Sequence, residues 1–311
     1  MLLWKVFSQV LLPILVLVGF GWVLDARRRL DLSTLVRLNI YLVVPAFIFH
    51  QVVTSSLSGG LALRVILFTT TVIASMFALS LCVGKWRGYD TGQTRALQLA
   101  TMFYNSGNYG VPLMTLAFPG IGPLLQVFVV LTQNICTFTV GLALAASAHR
   151  SLLRTALPML RQVSLWAVAA ALLVRWLHLP VTEWRWFWVP IEYLHNALVG
   201  VALVTLGVQL SQTRPHEHRS RLSWALALRL LGGPIVAALL VHPFGFHGQQ
   251  AVIMIVSAGF PTAVNTALIA HEFNADAEFA AASVFYSTLA SMISVTCLIG
   301  AFQIPELAAL F

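Results

Sequence analysis

The chain alternates long apolar runs with short polar connections. Runs near the ~20 residues that a helix needs to cross a hydrocarbon core predict spans at 4–24, 34–54, 62–83, 95–118, 124–146, 157–178, 189–211, 221–241, 249–271 and 278–301. Two runs are interrupted in their middle. The fourth, LQLATMFYNSGNYGVPLMTLAFP over 97–119, carries Asn105, Ser106, Gly107, Asn108, Tyr109, Gly110 and Pro112. The ninth, VIMIVSAGFPTAVNTALIAHEF, carries Gly259 and Pro261 with Thr262 and Asn265 just beyond. Proline lacks a backbone donor and clashes with the preceding turn, and glycine weakens a helix. Both centres are therefore expected to open into short non-helical stretches, near Pro112 and Pro261.

An opening at membrane depth exposes backbone groups that cost several kcal/mol each unless protein or a watery cavity satisfies them. Interrupted spans at corresponding places in two halves point to a binding site at mid-membrane. The plainer alternative is a pair of kinks that let helices pack closely. The two breaks lie half a chain apart, so the spans divide into two five-span halves, 1–147 and 148–311, with the midpoint in the basic connection 148–157. Five is odd, so the second half is expected to sit inverted relative to the first. The expected fold is an all-α polytopic membrane protein of about ten helices.

Composition agrees. Of 311 residues, 59% are hydrophobic and 9% charged, against about 25% charged in a soluble domain, and mean hydropathy is +0.86. The net charge of +8 does not point to nucleic acid, because the basic residues sit in connections between spans. Arg27, Arg28, Arg29, Arg37, Lys85, Arg87, Arg95, Arg150, Arg154, Arg161, Arg214, Arg219 and Arg221 fall on one side, against Lys5, Arg64, Arg175 and Arg185 on the other. The positive-inside rule makes the first side cytoplasmic and puts both termini outside. The acidic loop HEFNADAE would also be cytoplasmic. The N-terminal run reads as a retained first span rather than a cleaved leader, and Trp184, Trp186 and Trp188 as interfacial anchors.

Cys82, Cys136 and Cys297 have no metal or redox spacing and read as small core hydrophobes. Nothing suggests a metal, a cofactor or a nucleophile with its base, so no enzymatic activity is expected.

The NSGNYGVP run resembles the signature of the auxin efflux carrier family. YLVVPAFIF in the second span, GFPTAVNTALIAHEF in the ninth and the ten-span layout extend the resemblance over nearly the whole chain. The lack of a long hydrophilic central loop resembles the short bacterial members, which implies a bacterial inner membrane. The resemblance also implies a fold similar to bile-acid symporters and sodium/proton antiporters, with a scaffold domain and a core domain whose broken helices 4 and 9 cross. Elevator-like alternating access and a small organic-acid substrate are implied with it, and a homodimer through the scaffold would suit such a fold.

If the two breaks face each other, the starts of the half-helices beyond them present unpaired N–H groups and about half a positive charge each. Asn105, Asn108 and Asn265 add uncharged amides, and Thr262 a hydroxyl. Asn105, Gly107, Asn108, Gly110 and Pro112 are the expected half of a carboxylate site, with Gly259, Pro261, Thr262 and Asn265 the other; the alternative is that the amides only cap broken ends. No Asp or Glu lies in the fourth span or around Pro261, which argues for an anion and against sodium or proton as the main cargo. Export of one negative charge is favoured by ~2.3 kcal/mol per 100 mV, so efflux needs no coupling, whereas uptake would need protons or sodium. A ligand-sensing receptor on the same scaffold and a cation-coupled uptake symporter are the competing readings.

Other polar groups within spans have double readings. Arg229 could balance an anionic substrate or snorkel to the interface. Glu192 and His195 could relay protons or simply pair. His50 and Gln51 read as interfacial, and Gln126, Gln133 and Asn134 as amides bonding across helices.

Overall fold

The computed structural model describes residue 8 and residues 12–54, 59–145, 163–212, 219–273 and 275–302. The basic connection 148–157 and the start of the first span lie outside the described residues.

Helices occupy every predicted run. In order they are α1 (Leu12–Arg28), α2 (Leu32–Thr54), α3 (Gly59–Trp86), α4 (Thr91–Met102), α5 (Val111–Ala117), α6 (Ile121–Ala145), α7 (Val163–Trp176), α8 (Arg185–Gln212), α9 (Ser220–Val241), α10 (Gly248–Ala258), α11 (Val264–Glu272) and α12 (Ala277–Ala301). Among the described residues six of these, α2, α3, α6, α8, α9 and α12, are long and apolar enough to cross a membrane. The fourth run is divided into α4 and α5, and the ninth into α10 and α11, as their internal Gly, Pro and Asn residues predict.

α1 packs on α8, α2 on α7 and α8, α3 on α4, α6 and α9, α10 on α9, and α11 on α12. The α1–α8 contact depends on two glycines. A Cβ on Gly21 would meet the Val204 carbonyl oxygen at 2.1 Å, and one on Gly207 the Val18 carbonyl oxygen at 2.0 Å. Small residues allow such close backbone approach, which is how helices associate where lipid removes the hydrophobic drive. Large apolar side chains face outward, among them Phe20, Trp186, Leu239 and Ile293, each more than 60% exposed. In water that surface would be an aggregation hazard; around membrane-length helices it is the face for acyl chains. Cys82 and Cys297 belong to this outer face, which corrects their reading as core residues.

Among the described residues of α1 to α12, four π turns interrupt or lead into the helices: Asn39–Val43 in α2, Ser106–Gly110 leading into α5, Thr137–Gly141 in α6 and Leu228–Gly232 in α9. Each widens the helix by one residue and turns side chains that would otherwise face elsewhere. All four supply residues to the region where the two divided runs meet.

Candidate functional site: the crossing of two broken helices

The two breaks touch. After Met102 the chain runs extended from Phe103 and turns at Asn105, where the Ser106 N–H donates to the Tyr104 carbonyl at 2.7 Å, and Tyr104 pairs antiparallel with Thr262. The Asn105 N–H donates to the Pro261 carbonyl at 2.7 Å, and the Ala263 N–H to the Phe103 carbonyl at 2.9 Å. Each break thus satisfies the backbone groups that the other exposes, the condition for non-helical chain at this depth.

The opening in the fourth run lies several residues before Pro112. Pro112 itself is the second residue of α5, which continues directly from the π turn Ser106–Gly110. What holds Phe103 and Tyr104 out of the helix is the hydrogen bonding of this stretch to Pro261 and Ala263. In the ninth run Gly259 ends α10, and Pro261 lies in the extended stretch as expected.

Side chains lock the crossing. The Thr262 hydroxyl donates to the Ala100 carbonyl at 2.7 Å, and its N–H donates to the Ser287 hydroxyl oxygen on α12 at 2.9 Å. Gln126 on α6 donates to the Ser106 carbonyl at 2.9 Å and accepts from the Ser257 hydroxyl at 3.0 Å, joining the first break to the end of α10. Across the contact, Phe260 meets the edges of Tyr104 and Tyr109. Gly110 makes room for this: a Cβ there would meet the Phe260 ring at 2.5 Å and Gln126 Nε2 at 2.6 Å.

Beside the crossing lies a cavity of about 70 Å³, room for a few waters or a small organic ion. One wall is α2 and the start of α7, through Val36, Ile40, Val44 and Ser164; the other is the breaks and α6, through Tyr104–Asn108, Ala263–Asn265, Val130, Gln133, Asn134 and Thr137. No lining residue carries a charge. Asn105 Nδ2 and Gln133 Nε2, both on buried lining residues, have no hydrogen-bond partner among the described residues. A buried donor left unpaired costs about 1–3 kcal/mol, so two at one wall give a ligand acceptor a ready gain. Gln133 Oε1 accepts from the Tyr104 N–H at 3.4 Å, which helps aim its amide. The Asn108 Oδ1 accepts from Asn39 Nδ2 on α2 at 2.6 Å.

Of the nine residues expected at the site, Asn105, Gly107, Asn108 and Asn265 line the cavity. A Cβ on Gly107 would meet nothing within 4 Å, as befits a position facing open space. Gly110, Pro261 and Thr262 lie alongside at the contact between the breaks, and Pro112 and Gly259 at the flanking helix ends. Asn39, Thr137 and Ser164 were not anticipated, and the π turns at Asn39 and Thr137 left no mark in the sequence. Gln133 and Asn134 were expected only as amides bonding across helices.

Arg229 neither lines the cavity nor snorkels. It is fully buried, and it donates to the Thr101 and Ala258 carbonyls. His195 is likewise remote from the cavity lining. It stacks on His50 with ring centroids 4.0 Å apart and on Phe47 at 5.2 Å, while Gln51 Nε2 lies 3.2 Å from its Nε2. His50 in turn stacks on Trp188, so one of the three tryptophans read as anchors instead fastens α8 to α2. Among the described residues no group of three His, Cys, Asp or Glu side chains could hold a metal ion.

Known proteins resemble this chain along most of its length. The family described as "Membrane transport protein" matches residues 164–299, a stretch that holds the second break but not the NSGNYGVP run. A protein of Methanothermobacter thermautotrophicus named "Uncharacterized transporter" is 27% identical over 297 residues, 93% of this chain and 96% of its own. A Rhizobium meliloti protein named "Putative malonate transporter" is 25% identical over 276 residues, covering 84% of this chain and 83% of its own. The first of these alignments is long enough to include both breaks. Together the matches liken the chain to membrane transport proteins.

Proposed function

We propose that the chain carries small carboxylates across the membrane and binds them in the cavity beside the crossing. The observation that carries this reading is the meeting of two helix breaks at the wall of an uncharged polar cavity. The starts of both second half-helices, Ser106–Gly110 running into α5 and Val264 onward in α11, border that cavity. First-turn N–H groups have no intrahelical partner and carry partial positive charge. With Asn105 Nδ2 and Gln133 Nε2 they form a set of oriented donors with no carboxylate to repel an anion, the recognition that a helix start gives a carboxylate. The name of the Rhizobium meliloti relative, a putative malonate transporter, supports a short dicarboxylate among the candidates.

The packing also favours two inverted five-span halves. Taking α4–α5 and α10–α11 as one span each gives ten, with α1 to α6 in the first half and α7 to α12 in the second. The contacts then exchange in pairs: α1 on α8 answers α7 on α2, α3 on α4 answers α9 on α10, and the Tyr104–Thr262 bridge is its own counterpart. In this arrangement α1, α2, α7 and α8 form a scaffold and the remaining helices a core. The cavity lies between them, which suits alternating access by sliding of the core. The basic connections put both termini outside the bacterial inner membrane, a dimer would form through the scaffold, and export would run on the membrane potential alone.

Counterflow in proteoliposomes tests the proposal. Vesicles preloaded with unlabelled malonate or another short carboxylate are expected to accumulate the labelled form transiently. Saturable binding without exchange would overturn it in favour of a sensor.

A further inference from the structure

Arg229 is the largest side chain with no exposure among the described residues, and no ligand-contacting role in the cavity accounts for it. It projects from the π turn of α9, with Nη1 donating to the Thr101 carbonyl and Nη2 to the Ala258 carbonyl. Thr101 is in the last turn of α4 and Ala258 is the last residue of α10. One guanidinium therefore ties together the C-terminal ends of both half-helices that lead into the crossing. Its carbon lies 4.9 Å from the centre of the Tyr104 ring, a residue of the cavity wall. Gly233, one turn further along α9, makes room for the contact: a Cβ there would meet both Arg229 Nη2 and the Ala258 oxygen at 2.3 Å. Among the described residues no carboxylate pairs with Arg229; on the same helix it is Arg221 that pairs with Asp276.

A helix C-terminus leaves carbonyls unpaired and carries about half a negative charge. Two such ends brought together in a membrane repel each other and call for a cation. In carriers built on broken helices, such ends and their loosened carbonyls coordinate the coupling ion. An arginine answers the same demand from within the chain: it keeps its proton and its fork reaches two carbonyls at once.

We propose that Arg229 is a resident cation occupying the place of a coupling ion, so that the crossing forms and the carrier works without bound sodium. The proposal rests on the carrier reading for its transport consequence, but its structural half can be tested without any substrate. Purified wild-type protein is expected to melt at the same temperature in sodium chloride and in choline chloride. Arg229→Ala is expected to melt lower by about 5 °C or more, having lost two charge-assisted hydrogen bonds. Millimolar guanidinium chloride, but not urea, is expected to restore part of that loss, and to leave wild type unchanged. Arg229→Lys, which keeps the charge and loses the fork, is expected to fall between, and serves if the alanine variant does not fold.

A wild-type protein that loses stability when choline replaces sodium would overturn the proposal. So would an alanine variant that melts like wild type, or rescue by guanidinium no better than by urea. Counterflow of labelled carboxylate by wild type is expected to be equal in the two salts, and dependence on sodium would overturn the proposal. Absence of counterflow in either salt would refute the carrier reading while leaving the melting comparison to decide Arg229.

Discussion

The two faces of the crossing are built from the same backbone feature with opposite polarity. On one face the starts of two half-helices border an open cavity and are furnished with neutral amides: Asn105, Asn108, Gln133 and Asn265. On the other the ends of two half-helices are sealed, their carbonyls taken by Arg229 and by the Thr262 hydroxyl. The face whose partial charge is negative has a built-in counter-charge. The face whose partial charge is positive has none; Asn105 Nδ2 and Gln133 Nε2 are left without a partner there, as Arg229 Nε is on the other face. Under the proposed function, this difference in charge is the difference between a closed structural joint and a site for an anion.

Substitutions on each face should therefore behave differently. The largest effect is expected from Asn108→Ala on the open face. Removing one hydrogen bond to a charged group should weaken carboxylate binding about ten- to a hundredfold, while stranding the buried Asn39 amide lowers stability by about 1–3 kcal/mol. Unchanged exchange would remove Asn108 from the site. On the packed side of the crossing, Gly110→Ala forces a methyl against the buried Phe260 ring and should destabilise by about 1–3 kcal/mol, read in thermal melting. Thr262→Val conserves shape but strands the Ala100 carbonyl, at a cost of about 1–3 kcal/mol; a neutral outcome would mean that the clasp adds nothing to the joint. The smallest effect on stability is expected from Gly107→Ala. Its methyl enters open space, so melting should shift by less than about 1 kcal/mol while binding in the narrowed cavity falls.

The contrast also explains what could be read from the chain. Gly, Pro and Asn inside apolar runs are costly enough in a membrane helix to announce both breaks, and the places of the helices follow from hydropathy. The position of the first opening was displaced because Pro112 is the strongest local breaker, whereas Phe103 and Tyr104 are straightened by hydrogen bonds to residues 261–263, which no local rule contains. Arg229 was misread for a related reason. Its distance along the helix from the interface suggested snorkelling, but a π turn and two carbonyls from distant segments hold it inward. Asn39 and Thr137 were missed because the π turns that aim them arise from packing.

The most direct test of the open face is a thermal-shift titration of purified wild type and Asn108→Ala with acetate, malonate and succinate. A ligand that binds only the folded state raises the melting temperature in proportion to its occupancy. At least one carboxylate is expected to stabilise wild type, with the shift lost or greatly reduced in Asn108→Ala. No shift in wild type with any of the three, or an equal shift in the variant, would contradict a carboxylate site at the crossing.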